Sequence, residues 1–209
     1  MRHFRSRPEA RWLSASTAFV LAWFQCFPSA SFLAFAADPV LTASGDTYLR
    51  RGAPNQNQGG EPILRLRDLG DNRALVQFSQ SSIAATVGSN RLVSATLQLT
   101  ISRNGNNWGS TGRTIDVHRM TKAWTELGAT WNCAVDANTG NSRPDCSGTT
   151  EWRMEPPGML PFVSAPTATA LIRNGQSGNV SFDVTVDVNA FLSGTQANQG
   201  WVLKKTSET

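Results

Sequence analysis

Histidine is nearly absent from this 209-residue sequence, which contains only His3 and His118. Catalysis by a serine, histidine and acid set requires a histidine base, and only His118 lies away from the extreme N-terminus. His118 belongs to an alternating segment and faces away from Ile115 and Val117. A histidine on the surface of a strand is a simpler interpretation than a catalytic base, and we predict that the chain is not an enzyme.

Long apolar runs are also lacking. The most apolar stretch, 18–27, contains Gln25 and is shorter than the roughly 20 residues that cross a bilayer. It follows four arginines and precedes Ala34-Phe35-Ala36, a triplet of the A-x-A cleavage type. The pattern predicts a signal peptide over residues 1–36, secretion, and a mature domain over residues 37–209 without a membrane span.

An excess of positive charge is missing once the predicted leader is removed. The chain has 19 Lys+Arg against 15 Asp+Glu and a pI of about 9.4. Residues 1–36 contain four of the basic residues and one of the acidic ones, which leaves 15 against 14 and a net charge of +1. The basic pI therefore belongs largely to the leader, and we predict no nucleic-acid partner.

Cysteine is scarce as well, with three residues in the chain, of which Cys26 falls in the leader. An exported protein meets an oxidising compartment. We therefore predict a disulfide between Cys133 and Cys146. Zinc is the rival interpretation, but the spacing does not fit a zinc motif and His118 would be the sole histidine ligand.

No segment beyond the leader shows a sustained apolar period of 3.6 residues, and several alternate with period two between turn residues. The clearest predicted strands are 94–102 and 178–188, the second ending near a short helical turn at 191–192. Weaker strands are predicted at 47–51, 63–67, 74–78, 114–119 and 201–205. Short strands with one exposed face predict an all-β, antiparallel, single-domain β-sandwich of the jelly-roll type.

Six local motifs follow one another in a specific order. They are Asp46-Thr47-Tyr48-Leu49-Arg50, Asn55-Gln56-Asn57-Gln58-Gly59-Gly60, residues 71–78, residues 94–99, Trp124-Thr125-Glu126 with Thr130-Trp131-Asn132, and Phe182-Asp183-Val184-Thr185. This series resembles the DNRLRE domain, also called carbohydrate-binding module family 96. The resemblance implies a jelly-roll sandwich of exported bacterial proteins that binds polysaccharides, including acidic ones such as alginate, and performs no chemistry.

The chain departs from the resembled pattern at its C-terminal end. The family pattern continues beyond a segment like Gly200–Thr206 into further β-structure, whereas this sequence ends at Thr209. We therefore expect a domain that lacks its C-terminal strand. The strand 201–205 would then have an unpaired edge.

Arginines are the first candidates for sugar recognition. Period two places Arg65 and Arg67 on one strand face, and Arg50 lies on the preceding strand. Such a group could hold uronate carboxylates through bidentate contacts, although a solvated strand face is an alternative. Trp108 lies in a polar loop and could expose a flat ring to a sugar, with burial in the core as the alternative.

Calcium is the cofactor considered, since Asp46 or Asp183 with nearby carbonyls could supply oxygen ligands. The leading hypothesis is a secreted, non-catalytic domain that binds a polysaccharide, including an acidic one. A structural or adhesive surface domain and an accessory fragment of a polysaccharide-degrading enzyme remain the alternatives.

Overall fold

The computed structural model describes residues 38–66, 71–148, 152 and 160–208. Short strands dominate these parts of the chain, and two helices of eight residues each accompany them. The elements are β1 (Gly45–Arg50), β2 (Asn72–Gln77), α1 (Gln80–Val87), β3 (Thr96–Ile101), β4 (Arg113–Arg119), β5 (Ala168–Ile172), β6 (Gly178–Asp183), α2 (Thr185–Leu192) and β7 (Trp201–Lys205). The predicted signal peptide lies outside the described residues.

The strands form two antiparallel sheets. One has five strands in the order β1-β2-β7-β4-β5, and the other pairs β3 with β6. Side chains of both sheets share one hydrophobic core, in which Tyr48 and Val117 belong to the large sheet and Leu97 and Phe182 to the small one. The predicted all-β sandwich is confirmed, while the jelly-roll connectivity stays a prediction.

The strand β7 lies inside the large sheet, with hydrogen-bonded partners on both sides. Trp201 is opposite Val76 of β2 and Arg119 of β4. The predicted unpaired edge of this strand is therefore wrong. Gly200 permits the close approach, because its φ is +71° and a Cβ there would lie 2.2 Å from the carbonyl oxygen of Val76.

Both faces of the large sheet are covered, which corrects the prediction of one exposed face. Side chains alternate along each strand, so Leu49, Leu75 and Val202 point away from the core shared with the small sheet. They pack instead into a second core with residues of the segment 120–162. This second core also contains Met120, Trp124, Ala129, Trp131, Ala134, Trp152 and Phe162. The tryptophans Trp124, Trp131 and Trp201 are buried.

The predicted strands at 47–51, 74–78, 94–102, 114–119 and 201–205 are confirmed with boundaries shifted by at most two residues. The strand predicted at 63–67 is wrong over its described part, residues 63–66. Leu64 and Leu66 pack against the first core and Arg65 is exposed. Burial therefore alternates from Leu64 to Leu66 without a partner strand, and hydrogen-bonded pairing is what defines a strand.

The strand predicted at 178–188 ends at Asp183, and a helix rather than a late helical turn follows it. The Asp183 carboxylate accepts hydrogen bonds from the backbone nitrogen and the hydroxyl of Thr185, at 2.9 and 2.6 Å. These local hydrogen bonds compete with pairing to a neighbouring strand, and the chain leaves the sheet after Asp183. Val184 and Val188 are then buried four residues apart while Val186 is 78% exposed, which is the helical period. The elements β5 and α1 were not predicted.

Candidate functional site

The candidate arginine surface consists of three residues at the edge of the large sheet. Tyr48 and Arg50 belong to the edge strand β1, and Arg65 follows β1 in the chain. Arg50 follows Tyr48 by two residues and so projects from the same face of β1, about 7 Å along the strand. The guanidinium carbon of Arg65 lies 5.8 Å from the centre of the Tyr48 ring. One guanidinium therefore lies over the aromatic ring, and a second arginine projects from the same face of this edge strand.

The two arginines of this surface differ in their partners. Within the described parts of the chain, the side chain of Arg50 forms no hydrogen bond or ion pair with another residue, although its backbone oxygen accepts from the Ala53 nitrogen. Arg65 contacts Glu61 at 3.3 Å, and both side chains are largely exposed. Such a surface ion pair contributes little stability and exchanges readily with solvent or a ligand anion. The third candidate, Arg67, lies outside the described residues.

The neighbouring Arg51 has a structural role and is separate from this surface. Its guanidinium donates to the carboxylate of Asp71 at 2.9 Å, and the Asp71 side chain is only 5% exposed. Asp71 precedes β2, and its backbone oxygen accepts from the Arg51 nitrogen. This pair therefore fixes the chain at the ends of β1 and β2.

Trp108 is buried, so the expectation of an exposed ring is wrong. The side chain is 8% exposed and belongs to the core shared by the two sheets. Asparagines of its polar loop bond to the turn between β5 and β6: Asn104 donates to the Arg173 oxygen at 2.8 Å, and Asn106 accepts from the Gly175 nitrogen at 2.6 Å. The loop closes over the ring because its polar residues have these partners.

His118 faces away from Ile115 and Val117 as predicted, but it is buried at 4% exposure. The second core covers that face, and the Phe162 ring centre lies 5.1 Å from the imidazole. The Nδ1 atom lies 2.9 Å from the carbonyl oxygen of Val163, and Nε2 is buried without a hydrogen-bond partner in the described structure. The surface position predicted for this histidine is therefore wrong.

The environment of His118 predicts a loss of stability in acid. Burial in an apolar environment is the main cause that lowers the pKa of His118 below 6.5; Lys204 lowers the pKa further, while Val163, Asp116 and Ala165 oppose this. A histidine with a depressed pKa binds fewer protons in the native state. Its contribution is thus complete above about pH 6.5 and is lost as the pH falls through and below that value.

We expect wild-type protein to lose unfolding free energy between about pH 7.5 and pH 5, and His118→Gln to lose less over the same interval. Urea denaturation of both proteins at each pH measures the difference. Identical pH dependence in the two proteins would assign the acid sensitivity to other groups.

The two aspartates considered for calcium are held differently. Asp183 is exposed and its Oδ1 atom already accepts two bonds from Thr185, which lower the pKa of the carboxyl. Asp46 is half-buried on β1. Over the described ranges, no group of three His, Cys, Asp or Glu residues is arranged to hold a metal ion. Calcium binding at either residue stays a prediction.

A polar cleft of about 530 Å³ separates two loops, and the sequence patterns did not predict it as a site. One wall is Gln56–Gln58 and the other is Thr139–Ser142, which belongs to the loop closed by the Cys133–Cys146 disulfide. The predicted disulfide is confirmed. An alternating run of asparagine and glutamine between two strands was the only sequence signal for this wall.

Asparagines hold the first wall of the cleft in place. Asn57 donates to the backbone oxygens of Glu126 and Ala129 at 2.7 and 2.8 Å. Asn55 donates to the Ser142 oxygen at 2.6 Å and accepts from Asn132 at 2.6 Å. The two walls are therefore joined directly, and the cleft does not depend on a ligand for its shape.

Comparison with known proteins gives one family. No curated protein matches the chain. Separately, no helix in the described residues is long and apolar enough to span a bilayer. Residues 38–155, more than half of the chain, match the model of carbohydrate-binding module family 96 and include β1 to β4 and both walls of the cleft. The chain therefore belongs to carbohydrate-binding module family 96.

Proposed function

We propose that this chain is a secreted, non-catalytic module that binds an acidic polysaccharide through the arginine surface. The observation that carries the proposal is that, among the described residues, the Arg50 side chain has no partner and Arg65 pairs with a single exposed glutamate, Glu61. Guanidinium groups match the geometry of uronate carboxylates and donate in pairs. Tyr48, whose ring lies under Arg65, is 2% exposed, so it supports that arginine more than it contacts sugar.

Secretion is supported by two features. The disulfide between Cys133 and Cys146 belongs to chains that fold in an oxidising compartment, and the basic, apolar and small-residue order of residues 1–36 is typical of a signal peptide. The non-catalytic role is supported by the burial of His118, which has no solvent-exposed nitrogen to act as a base in the described structure.

Replacing both Arg50 and Arg65 with alanine is expected to weaken binding to alginate by about tenfold or more, because each charge-assisted hydrogen bond contributes about 1.5–3 kcal/mol. Binding to neutral glucans should change far less. Affinity electrophoresis or calorimetry at low salt measures both, since exposed ionic contacts are screened as salt rises.

The matched control replaces Arg91 and Arg103, which are exposed and whose side chains have no partner within the described chain. This variant loses the same charge at different positions and should retain alginate binding. Equal losses of alginate binding in the two variants would show that the effect comes from net charge and not from the arginine surface. Absence of binding to any polysaccharide would instead favour a structural spacer.

A further inference from the structure

We infer that the cleft between Gln56–Gln58 and Thr139–Ser142 is a second glycan site, which takes the hydroxyl groups of an uncharged sugar. This inference rests on the proposed polysaccharide binding and adds a site separate from the arginine surface. The first observation is charge: none of the seven residues that line the cleft is Asp, Glu, Lys or Arg. A uronate carboxylate would meet no cation among them, whereas hydroxyl groups require none.

The second observation is the contrast between alternate residues of one wall. Asn55 and Asn57 use their amides to hold the backbone, as described above. Gln56 and Gln58 line the cleft, and in the described structure neither side-chain amide has a hydrogen-bond partner. The wall is thus held by fixed asparagines and lined by two glutamines whose amides have no partner in the described structure.

Unused amides match the chemistry of a neutral sugar. Each glutamine amide offers two N–H donors beside one acceptor oxygen. Neighbouring sugar hydroxyls both donate and accept, so one amide can bind two of them. The opposite wall adds the hydroxyl side chains of Thr139 and Ser142. The cleft has a volume of about 530 Å³ and is largely open to solvent.

The third observation is rigidity of the opposite wall. Asn141 donates to the Asp145 carboxylate at 2.6 Å and accepts from the Arg143 nitrogen at 2.7 Å. The disulfide joins the ends of the loop that contains these residues. A wall that is ordered before binding lowers the entropy lost when a ligand binds. The exposed position of the loop therefore does not prevent it from forming a site.

The test measures binding of the full chain to laminarin, galactomannan, xyloglucan and alginate by affinity electrophoresis and calorimetry. We expect wild type to bind at least one of the three neutral polysaccharides. Replacing Gln56 and Gln58 with alanine should weaken that binding by about tenfold and leave alginate binding within about twofold. In ¹⁵N spectra, a neutral oligosaccharide should shift the side-chain amide signals of Gln56 and Gln58.

Gln98→Ala is the control, because Gln98 is exposed on β3 in the other sheet. An equal loss in this control would overturn the site. Binding to alginate but to none of the neutral polysaccharides would overturn the second site and leave the proposed function standing. Failure of wild type to bind any of the four would overturn both.

Discussion

Replacing Arg73 with alanine is expected to lower the free energy of unfolding by about 3–5 kcal/mol, the loss typical of breaking a buried ion pair. Arg73 lies on β2 with its side chain 5% exposed and donates to both carboxylate oxygens of Glu208, at 2.9 and 2.6 Å. Its guanidinium also lies 4.8 Å from the ring centre of Trp131 and 5.7 Å from that of Phe162.

The loss of unfolding free energy is large because the truncation leaves the Glu208 carboxylate without its main partner. The Glu208 side chain is 12% exposed, and within the described part of the chain Lys204, whose Nζ atom lies 3.8 Å away, would be the one ionic partner left to it. A buried carboxylate without its bidentate donor is costly. The aromatic rings would also lose the planar cation that packs against them, a contact that is stronger when shielded from water.

Urea denaturation at neutral pH measures the change in unfolding free energy. Arg73→Lys is the informative control, because lysine keeps the charge but lacks the planar pair of donors, and its loss should be smaller. The double variant Arg73→Met with Glu208→Leu should recover part of the loss, since no buried charge is left unpaired. A stability of Arg73→Ala within about 1 kcal/mol of wild type would contradict this account.

Removing the disulfide is expected to cost about 3 kcal/mol in the chain-entropy model for a loop of this size. Cys133 and Cys146 are 13 residues apart in sequence, and Cys133 is fully buried. Backbone hydrogen bonds such as Ala137 to Asp145 and Ser147 to Val135 also join the two sides of the loop. We therefore expect a weakened fold that still unfolds cooperatively.

The measurement compares thermal unfolding of wild type with Cys133→Ser/Cys146→Ser, and of wild type with and without reductant. Both treatments should lower the transition temperature by similar amounts. Mass spectrometry of the non-reduced protein should find no free thiol at either position. Unchanged stability of the double variant would show that the backbone hydrogen bonds alone hold the loop.

The sequence predicted some elements reliably because burial on one face imposes period two. The strand β3 alternates Leu97 and Leu99 with Thr96, Gln98 and Thr100, and the structure buries Leu97 while leaving the three polar residues exposed. The same pattern holds from Val180 to Asp183 in β6, where Val180 and Phe182 are buried and Ser181 and Asp183 are exposed. Alternation reports which side chains turn inward, and in β3 and β6 a partner strand is present to complete the sheet.

Period two was misleading where tertiary contacts decide the outcome. Residues 64–66 alternate in burial but are not paired in a strand, and Asp183 with Thr185 diverts the chain into α2 by a local hydrogen bond. The polar face of β4 looked solvated in the sequence. It is covered by Phe162, which lies more than 40 residues further along the chain, and no local pattern reports such a distant partner.

The sequence by itself determined the β architecture, the disulfide and the family. Periodicity, a pair of cysteines and an ordered series of motifs can each be recognised without knowing which distant residues come into contact. Tertiary structure alone decided which polar side chains are free to bind. Trp108 is buried because the asparagines around it bond to a distant turn, and Arg51 is engaged by Asp71 while the adjacent Arg50 is not. The cleft exists because two loops about 80 residues apart meet at Asn55 and Ser142, so a site made from both could be recognised only after the chain had folded.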